Sequence, residues 1–312
     1  MSAWLPASPC LPERCATPAH PAAPPPRAAL RLAAGCAAVA AGLALAPLTA
    51  PLRPAARHRL TRLWCRAVVR AFGVRVRVTG APPPPGPLLV VANHVSWLDI
   101  PLVAAVLPGR MVAKREVRHW PLLGPLAALG GTLFLDRDRL RALPGAVRDL
   151  ARTLAAGHRT VVFPEGSTWC GRAQGAFRPA VFQAALDAGA PVQPVRITYR
   201  PVGPAAFVGD DPLAASLWRV ARAGRLTAEI RLLAPVPHGA HADRRALARA
   251  AGAAVATAGS ATAGSVAARP AEAGPGAAQT AVASDSAKRP RSSVHHRDSA
   301  RPAAASSAAI PS

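Results

Sequence analysis

The sequence predicts an α/β fold, with a mostly parallel or mixed central sheet flanked by helices and an N-terminal membrane-associated helical segment in front of it. Three observations carry that expectation. Apolar strand-like runs alternate with helical stretches from residue 74 to about 235, as in strands joined by crossover helices. Polar clusters follow several of those runs, and in open α/β sheets the carboxyl ends of the strands are where ligands bind. A run of 19 residues without charge, 32–50, precedes an arginine-rich stretch.

The elements follow in chain order. Residues 1–28 are rich in Pro and Ala, include Pro24-Pro25-Pro26, and are expected to be disordered. Residues 29–73 are expected to form a membrane-embedded apolar segment followed by a basic amphipathic helix. At about 1.5 Å per residue the apolar run approaches the thickness of a hydrocarbon core, about 30 Å. Its Ala and Gly content leaves three readings open: a spanning helix, a hairpin or helix lying in one leaflet, or a signal peptide cleaved near Ala44-Leu45-Ala46. Eight arginines and no acidic residue lie between Arg53 and Arg77. Within His58–Phe72, Arg59, Arg62, Arg66 and Arg70 form one helical stripe, and Leu60, Leu63, Trp64, Ala67, Ala71 and Phe72 mark another face. That is the pattern of a helix lying on anionic lipid, although an ordinary domain helix with a solvated Arg face has it too. By the positive-inside rule, everything after the apolar run is expected on the cytoplasmic side.

Strands are expected at 74–79, 88–92, 111–113, 132–135, 160–163, 192–199 and 226–233, and helices near 98–107, 137–156, 176–188 and 241–257, in a domain spanning 74–251. Residues 252–312 have no periodic apolar face and are expected to be a disordered tail.

Composition narrows the partners. With 38 Lys+Arg against 15 Asp+Glu the net charge is +23, which calls for an anionic partner: nucleic acid, a membrane surface or a phosphorylated substrate. One Tyr, few aromatics interleaved with Arg and no nucleic-acid motif argue against nucleic acid. The five cysteines (10, 15, 36, 65 and 170) contain no C-x-x-C pair, so neither a disulfide framework nor a metal site is expected.

Four clusters carry chemistry. The first, Asn93-His94-Val95-Ser96-Trp97-Leu98-Asp99, follows the apolar run LLVVA. An imidazole accepts a proton near neutral pH, and a carboxylate fixes its tautomer. His94 and Asp99 can meet only if His94 precedes the helix; Ser96 and Asp99 also fit a helix-capping box. The second, Gly130 to Arg137, ends in an Arg able to clamp a phosphate or carboxylate, or simply to pair with Asp136, Asp138 or Asp149. In the third, Phe163 to Thr168, Glu165 leaves an apolar strand into a Gly turn. Backbone N–H groups and the Ser167 and Thr168 hydroxyls there can bind a polar group, or merely cap a turn. The fourth, Val192 to Val195, reads only as a buried strand.

In this order and wording the clusters resemble the glycerolipid acyltransferases. The His-x4-Asp block of that family matches His94 and Asp99, its Gly-x-x-Phe-x-x-Arg block Gly131, Phe134 and Arg137, its Phe-Pro-Glu-Gly block Phe163 to Gly166, and its Pro-containing strand Val192 to Val195. The resemblance spans about 85–200. It implies transfer of a fatty acyl group from acyl-CoA or acyl-carrier protein to the hydroxyl of a lysolipid, first of all 1-acyl-glycerol-3-phosphate, with no cofactor and no metal. It makes His94 the general base and Asp99 its orienter. Arg137 becomes a head-group ligand, Glu165, Gly166 and Ser167 the other wall of the site, and Lys114 with Arg115 an anion-binding pair. Many members acting on lysophosphatidate carry Arg shortly after Glu-Gly, where this chain has Thr168; enzymes acylating lyso-ornithine lipid therefore compete.

Overall fold

The structure is a computed structural model that describes residues 8–267, apart from 50, 122, 137 and 138. A short helical turn, α1 (Pro12–Cys15), leads to the long apolar helix α2 (Pro25–Leu45), a 3-10 turn (Ala46–Thr49) and helix α3 (Pro54–Ala71). Then come β1 (Val74–Thr79), β2 (Leu88–Ala92), α4 (Asp99–Ala104), β3 (Arg110–Lys114), a 3-10 turn (Arg115–His119), α5 (Leu123–Leu129) and β4 (Leu133–Leu135). The chain continues through α6 (Leu143–Ala155), β5 (Arg159–Val162), α7 (Ala180–Asp187), β6 (Val192–Arg200), α8 (Leu213–Ala221), β7 (Leu226–Leu232) and α9 (Arg244–Ala267).

The seven strands form one sheet in the order β1-β7-β6-β2-β5-β3-β4. Every pairing is parallel except β6 with β7, which is antiparallel, so the sheet is mixed. β2, β5, β3 and β4 therefore end on the same edge. β2 lies at the centre, all five of its residues are buried, and its side chains alternate between two cores. Leu88, Val90 and Ala92 join Val69, Phe72, Leu98, Leu102 and Val220, from α3, α4, the loop before α4, and α8. Leu89 and Val91 join Leu154, Phe182, Ala251 and Val255 under α6, α7 and α9.

α2 and α3 pack as a helical pair. The contact needs the two glycines of α2: a Cβ at Gly35 would overlap the Phe72 ring, and one at Gly42 the Trp64 indole. Trp64 Nε1–H donates to Ala38 O at 2.8 Å. Arg31 fastens α2 to the domain, its Nη1 donating to Ala221 O at 3.0 Å and Ala223 O at 2.7 Å, where the carbonyls at the end of α8 collect negative potential. The helix over Pro25–Thr49 is long and apolar enough to cross a membrane, and Leu30, Leu45 and Leu48 on it are exposed.

Three expectations are corrected. Residues 10–28 are ordered against the fold: Cys10, Ala19, Ala23 and Ala28 are buried, and Ala23 N–H donates to Arg222 O at 2.7 Å. Proline removes this segment's own ladder bonds, so its order comes from contacts far along the chain and leaves no local pattern. The expected tail boundary at 252 falls inside α9, where Val255 and Ala258 are buried. Alanine is the strongest helix former, and its small face fits close to the sheet. Finally, the buried stripe of α3 is Cys65, Val68 and Val69, leading to Phe72, whereas Leu60, Leu63 and Ala67 are exposed beside the arginines.

Candidate active site

The site forms where β2 and β5 end. Asn93 closes β2: its side chain accepts Ile197 N–H at 2.8 Å and donates to Ile197 O at 3.0 Å, locking the strand end to β6. His94 then lies on the loop before α4, and Asp99 is the first residue of that helix. This is the arrangement in which the two side chains can meet, with His94 Nδ1 2.8 Å from Asp99 Oδ2. Asp99 is fully buried and the His94 side chain is 20% exposed.

Asp99 accepts three further hydrogen bonds. Val95 N–H and Ser96 N–H donate to Oδ2 at 2.6 and 2.9 Å, and Tyr199 O–H donates to Oδ1 at 2.6 Å. Asp99 thus engages the Nδ1 side of the His94 ring, and Nε2 is the ring nitrogen it leaves untouched. The capping-box expectation is met only in half: Asp99 accepts Ser96 N–H, but the residue before α4 is Leu98, no side chain caps that helix, and Ser96 Oγ accepts Leu98 N–H at 3.3 Å. Burial, followed by the Asp99 charge and the hydrogen bond to it, holds the Tyr199 hydroxyl well above its ordinary pKa, so it remains a donor. The His94 ring stacks on Phe163, centroids 4.1 Å apart and planes 16° from parallel.

Glu165 is buried behind His94. Its Oε2 accepts His94 N–H at 2.8 Å and its Oε1 accepts Gly175 N–H at 3.1 Å. Burial pushes its pKa up to about 8 from 4.5, against the pull of those two N–H groups. Both oxygens are thus engaged inside the protein, and Glu165 braces the loop rather than facing outward as a wall of the site. Gly166 turns the chain with φ +75°, a conformation that suits glycine, and Ser167 and Thr168 are half-buried. Trp169 N–H donates to His94 O at 2.7 Å, so this loop also holds His94 from the carbonyl side.

Lys114 is exposed at the end of β3, in register with Leu135. Arg115 pairs with Asp136 at 3.0 Å. Arg137 lies outside the described residues. Val192–Val195 pairs with β2 as a buried strand, as expected. Tyr199, Asn93 and the Gly175 and Trp169 backbone contacts were not singled out from sequence. The one available signal was Tyr199, the single tyrosine of the chain, placed in an apolar strand.

A family model described as Acyltransferase matches residues 75–198. A lyso-ornithine lipid O-acyltransferase from Pseudomonas aeruginosa is 44% identical over 203 residues, 64% of this chain and 78% of that protein. The chain belongs to the acyltransferase family. A 1-acyl-sn-glycerol-3-phosphate acyltransferase from Neisseria meningitidis is 35% identical to this acyltransferase over 62% of its chain and 78% of the relative. The crystal structure of the 1-acyl-sn-glycerophosphate acyltransferase PlsC from Thermotoga maritima matches with a TM-score of 0.61 at 20% identity, over 79% of this chain and 98% of that one. That likeness establishes the fold. The acyltransferase fold thus brings His94, Asp99 and Glu165 together at one sheet edge, with Lys114 at the end of a neighbouring strand.

Proposed function

We propose that this enzyme moves a fatty acyl group from an acyl thioester, acyl-CoA or acyl-carrier protein, to the free hydroxyl of a lysolipid, with 1-acyl-glycerol-3-phosphate as acceptor and phosphatidate as product. The observation that carries the reading is the His94–Asp99 pair at 2.8 Å, with no hydrogen bond among the described residues occupying Nε2. Nε2 takes the acceptor's proton as its oxygen attacks the thioester carbonyl. The C–O bond forms, the C–S bond breaks, and the imidazolium returns the proton to the leaving sulfur. A thioester is already activated, so the reaction calls for no cofactor; general base catalysis contributes typically 10²–10⁴-fold, and positioning the rest. Lys114 and Arg137 supply cations for an anionic head group, Gly166 and Ser167 line the acceptor side, and Glu165 holds the loop.

A second acceptor, lyso-ornithine lipid, is favoured by two observations: Thr168 stands where an arginine would meet a phosphate, and the relative at 44% identity is named for that acceptor. The exposed leucines of α2 and α3 beside Arg59, Arg62, Arg66 and Arg70 support seating on an anionic membrane, with the catalytic domain on the cytoplasmic side.

The test is acyl transfer by membranes holding the protein, given acyl-CoA or acyl-carrier protein and each acceptor in parallel. His94→Ala is expected to lower the rate by about 10²–10⁴-fold. Full activity in that variant contradicts the base assignment, and transfer to neither acceptor contradicts the reaction.

A further inference from the structure

Three of the five cysteines, 155 or more residues apart at the extremes, meet in the fold. Cys10 precedes the turn α1, Cys15 is its last residue, and Cys170 lies just beyond the loop that follows Glu165. Their three sulfurs lie within 4.8 Å of one another, and no other potential ligand atom joins the group among the described residues. Cys10 and Cys170 are buried, Cys15 is half-buried, and all three are free thiols. Ala206, Val208 and Trp169 surround them with apolar surface.

We propose that Cys10, Cys15 and Cys170 bind one thiophilic d10 cation, zinc(II) or copper(I), as three thiolates. Three soft sulfur donors without carboxylate or imidazole select this class of ion. At a Zn–S distance of about 2.3 Å, tetrahedral ligand sulfurs stand about 3.8 Å apart, so the site closes on an ion by adjustment within an ångström or so. Backbone donors are already in place for thiolate. Cys170 N–H donates to Cys10 Sγ at 3.4 Å. The chain reverses at Gly171, φ +82°, and brings the N–H groups of Arg172 and Ala173 to the Cys170 sulfur.

The bound ion fastens the N-terminal segment to the loop whose Trp169 N–H holds the His94 carbonyl. Binding releases protons, so affinity rises with pH.

The experiment uses the full chain, reduced and stripped of metal under anaerobic conditions. It is titrated separately with zinc(II) and copper(I) against chromophoric chelators selective for each. The expected result is about one equivalent of one of the two cations held against its chelator. That equivalent is lost in Cys170→Ser and kept in the Cys36→Ser/Cys65→Ser double variant. A second readout needs no variant: on the unaltered protein the metal protects Cys10, Cys15 and Cys170 from alkylation, while exposed Cys36 still labels. Failure to hold either ion overturns the proposal, as does retention by Cys170→Ser or labelling of the three thiols at the metal-free rate. Acyl transfer is measured alongside, so loss of the metal site and loss of the proposed reaction are read independently.

Discussion

His94 is held through its backbone N–H by Glu165, through its carbonyl by Trp169 and through Nδ1 by Asp99, and its ring lies on Phe163. Each contact removes a way for His94 to drift from the position the proposed base role needs. The contact most easily tested alone is Tyr199 O–H to Asp99 Oδ1, 2.6 Å long and fully buried. Tyr199→Phe leaves a buried carboxylate oxygen without its donor, a loss of about 1–3 kcal/mol in stability by urea denaturation. The same variant is expected to lower kcat with KM unchanged; a rise in KM alone would show that Tyr199 serves binding instead. Glu165 gives a second test. Its pKa of about 8 lies above the ordinary 4.5, so between those values the folded chain holds a proton that the unfolded chain has released. The stability this supplies is complete below the unfolded value and is lost as pH rises through the folded one. Denaturation midpoints should therefore fall from about pH 5 to about pH 8, and Glu165→Gln should flatten that slope. An unchanged slope in the variant would assign it to other groups.

The α2–α3 pair reverses a general rule. Gly→Ala inside a helix ordinarily stabilises by up to about 1 kcal/mol. At Gly42 the new methyl would meet the Trp64 indole, and overpacking of this kind costs about 1–3 kcal/mol. Gly42→Ala should lower the thermal midpoint of detergent-solubilised protein; a higher midpoint would mean that the two helices separate. The seven strands were all legible in the sequence, because β-branched runs such as LLVVA and TVVF are bounded by Gly, Pro or polar clusters. α5 and α8 were not. α5 spans seven residues and includes Gly124 and Pro125, while the nine of α8 are too few for a clear helical period. The apolar face of α3 was only partly legible: Trp64 and Phe72 turn inward, but Leu60 and Leu63 do not, because periodicity reports a helix and not which of its sides meets the protein.

At the scale of the molecule, the His94 and Glu165 blocks share one edge because β2 and β5 are adjacent and parallel, as the strand-then-motif order of the sequence implied. What the sequence could not show was every contact made across long stretches of chain: Tyr199 on Asp99, Ala23 on Arg222, and Cys10 beside Cys170. None leaves a local period to read. The net charge of +23 also gains a location, since the Arg stripe of α3 lies beside exposed leucines. Binding to vesicles containing anionic lipid is expected to weaken as salt rises, by about 1 kcal/mol for each Arg near the surface that is replaced. Salt-independent binding equal on neutral vesicles would assign the attachment to the apolar helix alone. The bonds of Arg31 to Ala221 and Ala223 bear on the order of events during synthesis. These partners are 190 and 192 residues apart, so at about 5–20 residues per second α2 exists for about 10–40 s before the carbonyls that receive it are made. For that interval α2 has only α3, made directly after it, to pack against. The two-helix unit is therefore complete long before the sheet it docks on, so under the proposed membrane seating it would meet a bilayer first and the domain would close onto it afterwards.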